Sequence, residues 1–134
     1  MLHLERRIII RRDADIVTAR QEGRELSQAI GLSGSDPTLV AAAISELARN
    51  ILLYAGHGEI TIHIIERTGR KGILIIARDH GPGIPDIEMA MRDGFSTGSG
   101  LGLGLPGARR MMDEFQIVST VGEGTLVTML KWAQ

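Results

Sequence analysis

Glu46 and Asn50 stand four residues apart in SELARNILLYAG, so on a helix they share one face, about 40° apart. Their neighbours on that face, Leu39, Ala42, Ala43 and Leu53, are aliphatic. Two readings fit the pair. A carboxylate and an amide one turn apart can hydrogen-bond along a solvated helix face. Alternatively, the Asn50 oxygen serves a hard cation such as Mg²⁺, whose shell phosphate and water complete. Glu46 then accepts a proton from an attacking hydroxyl or water. A carboxylate among aliphatic side chains is costly unless something pairs with it.

A second carboxylate, Asp79, closes the apolar run GILIIARD and is followed by HGPG. Gly81 and Gly83 leave backbone bare enough for a flat ligand to lie close, and Pro82 and Pro85 stiffen the bend. The same residues also suit an ordinary turn. Further on, Gly98, Gly100, Gly102 and Gly104 lead into the helix-forming LPGARRMM. A helix N-terminus offers free N–H groups and a positive dipole end, and bare backbone before it can wrap a phosphate chain where side chains would clash. The same composition makes this stretch a candidate lid, over about 84–104. A last cluster, Gly122-Glu123-Gly124-Thr125, reads by itself as a tight hairpin turn.

The elements that must carry these groups follow from hydrophobic period and punctuation. Residues 6–12 read as a strand, with Asp13 or Asp15 capping a helix whose apolar positions, Ile16, Ala19, Gly23, Leu26 and Ile30, step by three and four up to Gly31. Ser35 or Asp36 caps a second helix, with Pro37 in its first turn, that runs to about Ala55 and carries Glu46 and Asn50. Residues 59–66 and 72–79 form a hairpin that ends at Asp79. A short helix over 86–93, a third main helix over 105–114, and strands at 115–121 and 124–132 complete the chain. The expected fold is a single-domain, two-layer α/β sandwich over 1–134: a mixed, largely antiparallel sheet with three helices on one face.

Composition narrows the function classes. The chain has 134 residues and a formal charge of −1, which gives no global attraction for nucleic acid or an anionic membrane. It has no cysteine, so disulfides and thiolate-held zinc or iron–sulfur sites are excluded. No apolar run approaches the ~20 residues of a membrane helix, and no signal-peptide order is present. The expectation is a cytoplasmic protein. There is no GxxxxGK[ST] run. The GxGxxG match from Gly102 to Gly107 does not directly follow a strand, which argues against a Rossmann site.

With ELARN, DHGPG, GSGLGLG and GEGT in this order, nearly the whole chain resembles the GHKL ATP-binding superfamily of gyrase, Hsp90, histidine kinases and MutL, the Bergerat fold. The resemblance implies Glu46 as general base and Asn50 as Mg²⁺ ligand. It implies Asp79 on the adenine amino group, and Gly81 and Gly83 around the adenine. Gly98, Gly100, Gly102 and Gly104 would close over the phosphates of ATP, and Thr125 would support the adenine side. The strings AISELARNILLYAGHG, DHGPGIPDI and DGFSTGSGLGLGLPGARRMMDEF, with the ending KWAQ, are similar to the stressosome switch kinases, the RsbT-like serine/threonine kinases. That likeness implies phosphorylation of STAS-domain scaffold or antagonist proteins, then release and activation of a partner phosphatase. The alternative within the same fold is an anti-sigma factor that sequesters a sigma factor and phosphorylates its antagonist. A clamp of the Hsp90 or gyrase kind needs a transducer domain, for which 134 residues leave no room.

Overall fold

The computed structural model describes residues 2–92 and 104–133. Five strands form one sheet in the order β1-β2-β3-β5-β4: β1 Leu2–Ile10, β2 Gly58–Arg67, β3 Arg70–Asp79, β4 Glu114–Thr120 and β5 Gly124–Trp132. Every neighbouring pair is antiparallel. The helices are α1 Asp13–Ala29, α2 Asp36–Tyr54, a single turn α3 Ile87–Ala90, and α4 Gly104–Met111. The described residues thus hold the three main helices of the expected sandwich plus the short fourth one. Among them, no helix is long and apolar enough to cross a membrane.

Strand alternation decides which side chains meet the helices. The rows Ile8–Ile60–Ala77–Val127–Ile117 and Ile62–Ile75–Met129–Phe115 face the helical layer. Against them pack Val40, Ala43, Ile44, Leu47 and Ile51 of α2, with Ile16, Ala19 and Leu26 of α1. The core is aliphatic as the composition requires, and each buried Ile or Leu contributes about 1.5–3 kcal/mol. Gly23 on α1 has a packing role: a Cβ there would collide with Ile44 Cδ1.

Element ends differ from the sequence reading for local reasons. The first strand covers Leu2–Ile10, not 6–12, because Asp15 Oδ2 accepts from Arg11 N at 2.9 Å and Arg12 N at 3.1 Å. Those two amides serve the start of α1 and not the ladder. The last main helix stops at Met111 because Asp113 N donates to Leu130 O and Glu114 already pairs with β5. On the sheet face away from the helices, Trp132 lies over Gly72, where a Cβ would sit 2.8 Å from the indole ring. Arg67 and Arg70 stack on that ring.

Candidate functional site

One cross-strand row carries the first half of the site: Gly58–Asp79–Thr125–Ser119, on the helix-facing side of the sheet. Asp79 Oδ1 accepts from Gly81 N at 2.9 Å and from Thr125 N at 3.3 Å. Oδ2 makes no hydrogen bond among the described residues. Asp79 lines a narrow apolar cavity together with Leu47, Ile51, Ala77, Thr125 and Val127. A half-buried carboxylate fixed by one oxygen leaves a directed acceptor for a ligand N–H.

The loop after Asp79 is tied down by backbone. Gly83 has φ +81°, and a Cβ there would lie 2.5 Å from Thr120 O. Gly124 has φ +135°, and a Cβ would strike the carbonyl of Asp79. A Cβ on Gly81 would meet Ala55 at 2.6 Å. The bare sides of Gly81 and Gly83 therefore face protein, a purpose that the sequence reading did not foresee, and Gly83 also lines a cavity. Ser119 completes the tie: its Oγ accepts from Ile84 N at 2.7 Å and lies 2.7 Å from Thr125 Oγ1. No motif pointed to Ser119. Counting back from the VGEG turn would have found it, because the hairpin register places it opposite Thr125.

The second half of the site rides on α2. Glu46 is buried, at 9% exposure, so the carboxylate is enclosed and not on a freely solvated face. Its Oε1 accepts from Arg49 Nη1 at 2.7 Å, and its Oε2 accepts from Gly104 N, the first amide of α4, at 2.8 Å. Asn50, one turn on, is half-buried and its side chain makes no hydrogen bond among the described residues. Its amide oxygen is a fitting ligand for a hard cation whose other ligands come from phosphate and water. Among the described residues no cluster of three His or carboxylate groups could hold a metal by itself.

Asn50 and Tyr54 line both the narrow cavity beside Asp79 and a wider one of about 280 Å³. Gly83, Ile84, Met89, Gly104 and Leu105 close the wider cavity. Together they make one cleft that runs from Asp79 to the N-terminus of α4. Tyr54 and Ile84 were not singled out in the sequence, since an aromatic residue at the end of a helix and an aliphatic one in a loop belong to no motif. A separate groove of about 470 Å³ opens between α1 and α2, lined by Arg20, Arg24, Thr38, Ser45 and Glu46. Glu46 thus borders this outer groove while its carboxylate touches the cleft through Gly104. Of the residues expected at the phosphates, Gly98, Gly100 and Gly102 lie outside the described residues; Gly104 lies at the cleft.

Residues 35–133 match the family described as histidine kinase-, DNA gyrase B-, and HSP90-like ATPase. The chain belongs to this family. Within it, the protein is 55% identical to Serine/threonine-protein kinase RsbT of Bacillus subtilis (strain 168) over 118 residues, 88% of this chain and 89% of the relative. It is 36% identical to an Anti-sigma F factor of Thermoanaerobacter sp. (strain X514) over 107 residues, 72% of this chain and 74% of the relative. The solved catalytic domain of histidine kinase ThkA, in a nucleotide-free form, superposes with a TM-score of 0.52 over 95% of each chain at 16% identity. That last likeness speaks for the fold. The antiparallel sheet with its helical layer agrees with that family's fold.

Proposed function

We propose that the protein is an ATP-dependent serine/threonine protein kinase of the cytoplasm, a single domain over 1–134, whose acceptors are STAS-domain scaffold or antagonist proteins. After transfer it leaves that partner and activates a regulator phosphatase. The observation that carries the reading is the position of Glu46. A general base for phosphoryl transfer to a protein must reach an acceptor arriving from outside and the nucleotide inside. Glu46 borders the α1–α2 groove and hydrogen-bonds the amide that ends the cleft. The 55% identity to a relative named as a serine/threonine kinase supports the same class of chemistry.

In this reading Asp79 Oδ2 accepts from the adenine amino group, while Gly81, Gly83 and Thr125 hold the loop and strand around the base. The triphosphate runs toward Gly104 and the preceding glycines Gly98, Gly100 and Gly102. Asn50 would hold Mg²⁺, which supplies charge neutralisation on the phosphates. A serine or threonine hydroxyl enters by the α1–α2 groove and hands its proton to Glu46. Its oxygen forms a bond to the γ-phosphorus, and the bond to the β,γ-bridging oxygen breaks with its electron pair leaving on ADP. The protein's share of the catalysis is position and charge.

The test is incubation with γ-labelled ATP, Mg²⁺ and a STAS-domain protein, followed by mapping of the label. A single labelled serine or threonine, lost in Glu46→Gln, is the expected result. The anti-sigma reading is favoured by the 36% identity to Anti-sigma F factor relatives. Pulldown separates the two: stable capture of a sigma factor, with no retention of the STAS protein, would replace the first reading by the second.

A further inference from the structure

We propose that Arg49 is the positioning residue of the transfer step, holding the Glu46 carboxylate in the geometry of a base; the inference rests on Glu46 being that base. An ordinary pair three residues apart on a solvated helix adds little to stability and nothing to catalysis. This pair is different in its surroundings. The Glu46 side chain is 11% exposed and that of Arg49 32%. The carboxylate lies on a stretch of α2 where Ala43, Leu47 and Ala48 are all buried. Removal of its cation would leave a buried, half-compensated charge.

The two oxygens have different keepers. Oε1 is bound by Arg49, on the same helix, and that contact needs no other element. Oε2 is bound by Gly104 N, at the end of the cleft where phosphate is expected. A phosphate oxygen arriving at that amide takes the donor from Oε2. Oε2 then becomes the acceptor for the substrate hydroxyl, and Arg49 alone keeps the carboxylate from turning away. The proton passes from the hydroxyl to Oε2 as the oxygen–phosphorus bond forms and the β,γ-bridge leaves with its electron pair. The proton then passes from Oε2 to solvent before the next turnover. The guanidinium of Arg49 is the cation that the described structure places on Glu46 Oε1.

The test is a double-mutant cycle in the full chain: unsubstituted, Arg49→Ala, Glu46→Gln and the pair, with labelled Mg-ATP and a STAS-domain acceptor. Each is checked for folding by its melting curve and for Mg-ATP affinity by calorimetry. Arg49→Ala is expected to lower kcat about 100-fold, the scale of a misplaced catalytic group, with ATP affinity within about twofold. In the Glu46→Gln background the same change should cost nothing further. Free guanidinium ion should restore part of the loss, and Arg49→Lys should keep more activity than alanine, which a merely structural role would not produce. If the alanine variant melts below the assay temperature, Arg49→Lys and Arg49→Met carry the comparison. Full kcat in folded Arg49→Ala, equal cost in both backgrounds, or parallel loss of ATP affinity would overturn the inference. Full transfer by Glu46→Gln, or none by the unsubstituted chain, overturns the base reading beneath it.

Discussion

The two ends of the cleft are built by opposite means. At the Asp79 end the groups sit on adjacent strands and on a loop locked against them. Asp79, Gly81, Thr125, Ser119 and Ile84 form one connected hydrogen-bond set, and Gly83 and Gly124 press backbone on backbone. At the α4 end the Glu46 carboxylate hangs from one helix, held by one guanidinium and one amide of a different element. The first arrangement is complete before any ligand arrives, which suits recognition. The second has a contact that a phosphate can replace, which suits a group that must change partners during a reaction.

This contrast breaks if substitutions at the two ends do the same thing. Glu46→Gln should leave Mg-ATP affinity within about twofold and lower kcat by about 10²–10⁴, measured with labelled ATP. Asp79→Asn should do the reverse in kind. It replaces a charged acceptor and disturbs the anchor of Gly81 and Thr125, so calorimetry should show ATP affinity about 100-fold weaker. Gly83→Ala forces a Cβ onto Thr120 O at a positive φ and should lower stability by about 1–3 kcal/mol in chemical unfolding, with ATP affinity falling alongside.

Smaller effects sharpen the picture. Ser119→Ala removes the hydroxyl shared by Ile84 N and Thr125 Oγ1 and should weaken ATP about fivefold, roughly 1 kcal/mol, with kcat unchanged. His63 lies on the far face of the sheet, outside both ends. Burial lowers its pKa from the ordinary 6.5, and its Nδ1 is buried with no hydrogen-bond partner among the described residues. The unfolded chain therefore binds this proton first as pH falls. The contribution of His63 to stability is full above about pH 6.5 and is lost progressively below it, toward the folded-state value. His63→Gln should flatten that slope in melting curves taken from about pH 8 to about pH 5, without altering ATP affinity.

Much of this was legible in the chain, and the reason differs by element. Helix α2 announced itself through Val40, Ile44, Leu47 and Ile51, and the intrusion of Glu46 into its second apolar face marked that carboxylate as a candidate site residue. The two hairpins were readable from alternation and from ERTGRKG and VGEG, and together they fixed an antiparallel sheet. Residues that act through tertiary pairing were not readable. Arg49 looks like any solvated helix arginine until its partner is known to be buried, and Ser119 like any strand serine until the register sets it beside Thr125. Gly81 and Gly83 were legible as special, but their packing against Ala55 and Thr120 depends on α2 and β4 arriving from distant sequence.

A purine amino group that donates to Asp79 Oδ2 would make the identity of the base decisive for nucleotide binding. Calorimetric titration of the unsubstituted protein with Mg-ATP and with Mg-inosine triphosphate, whose base carries an oxygen in place of that amino group, tests it without any substitution. Saturable binding of ATP at one site per chain, with inosine triphosphate weaker by about 100-fold or more, is the expected result. Equal affinities, or no heat from either nucleotide, would contradict it.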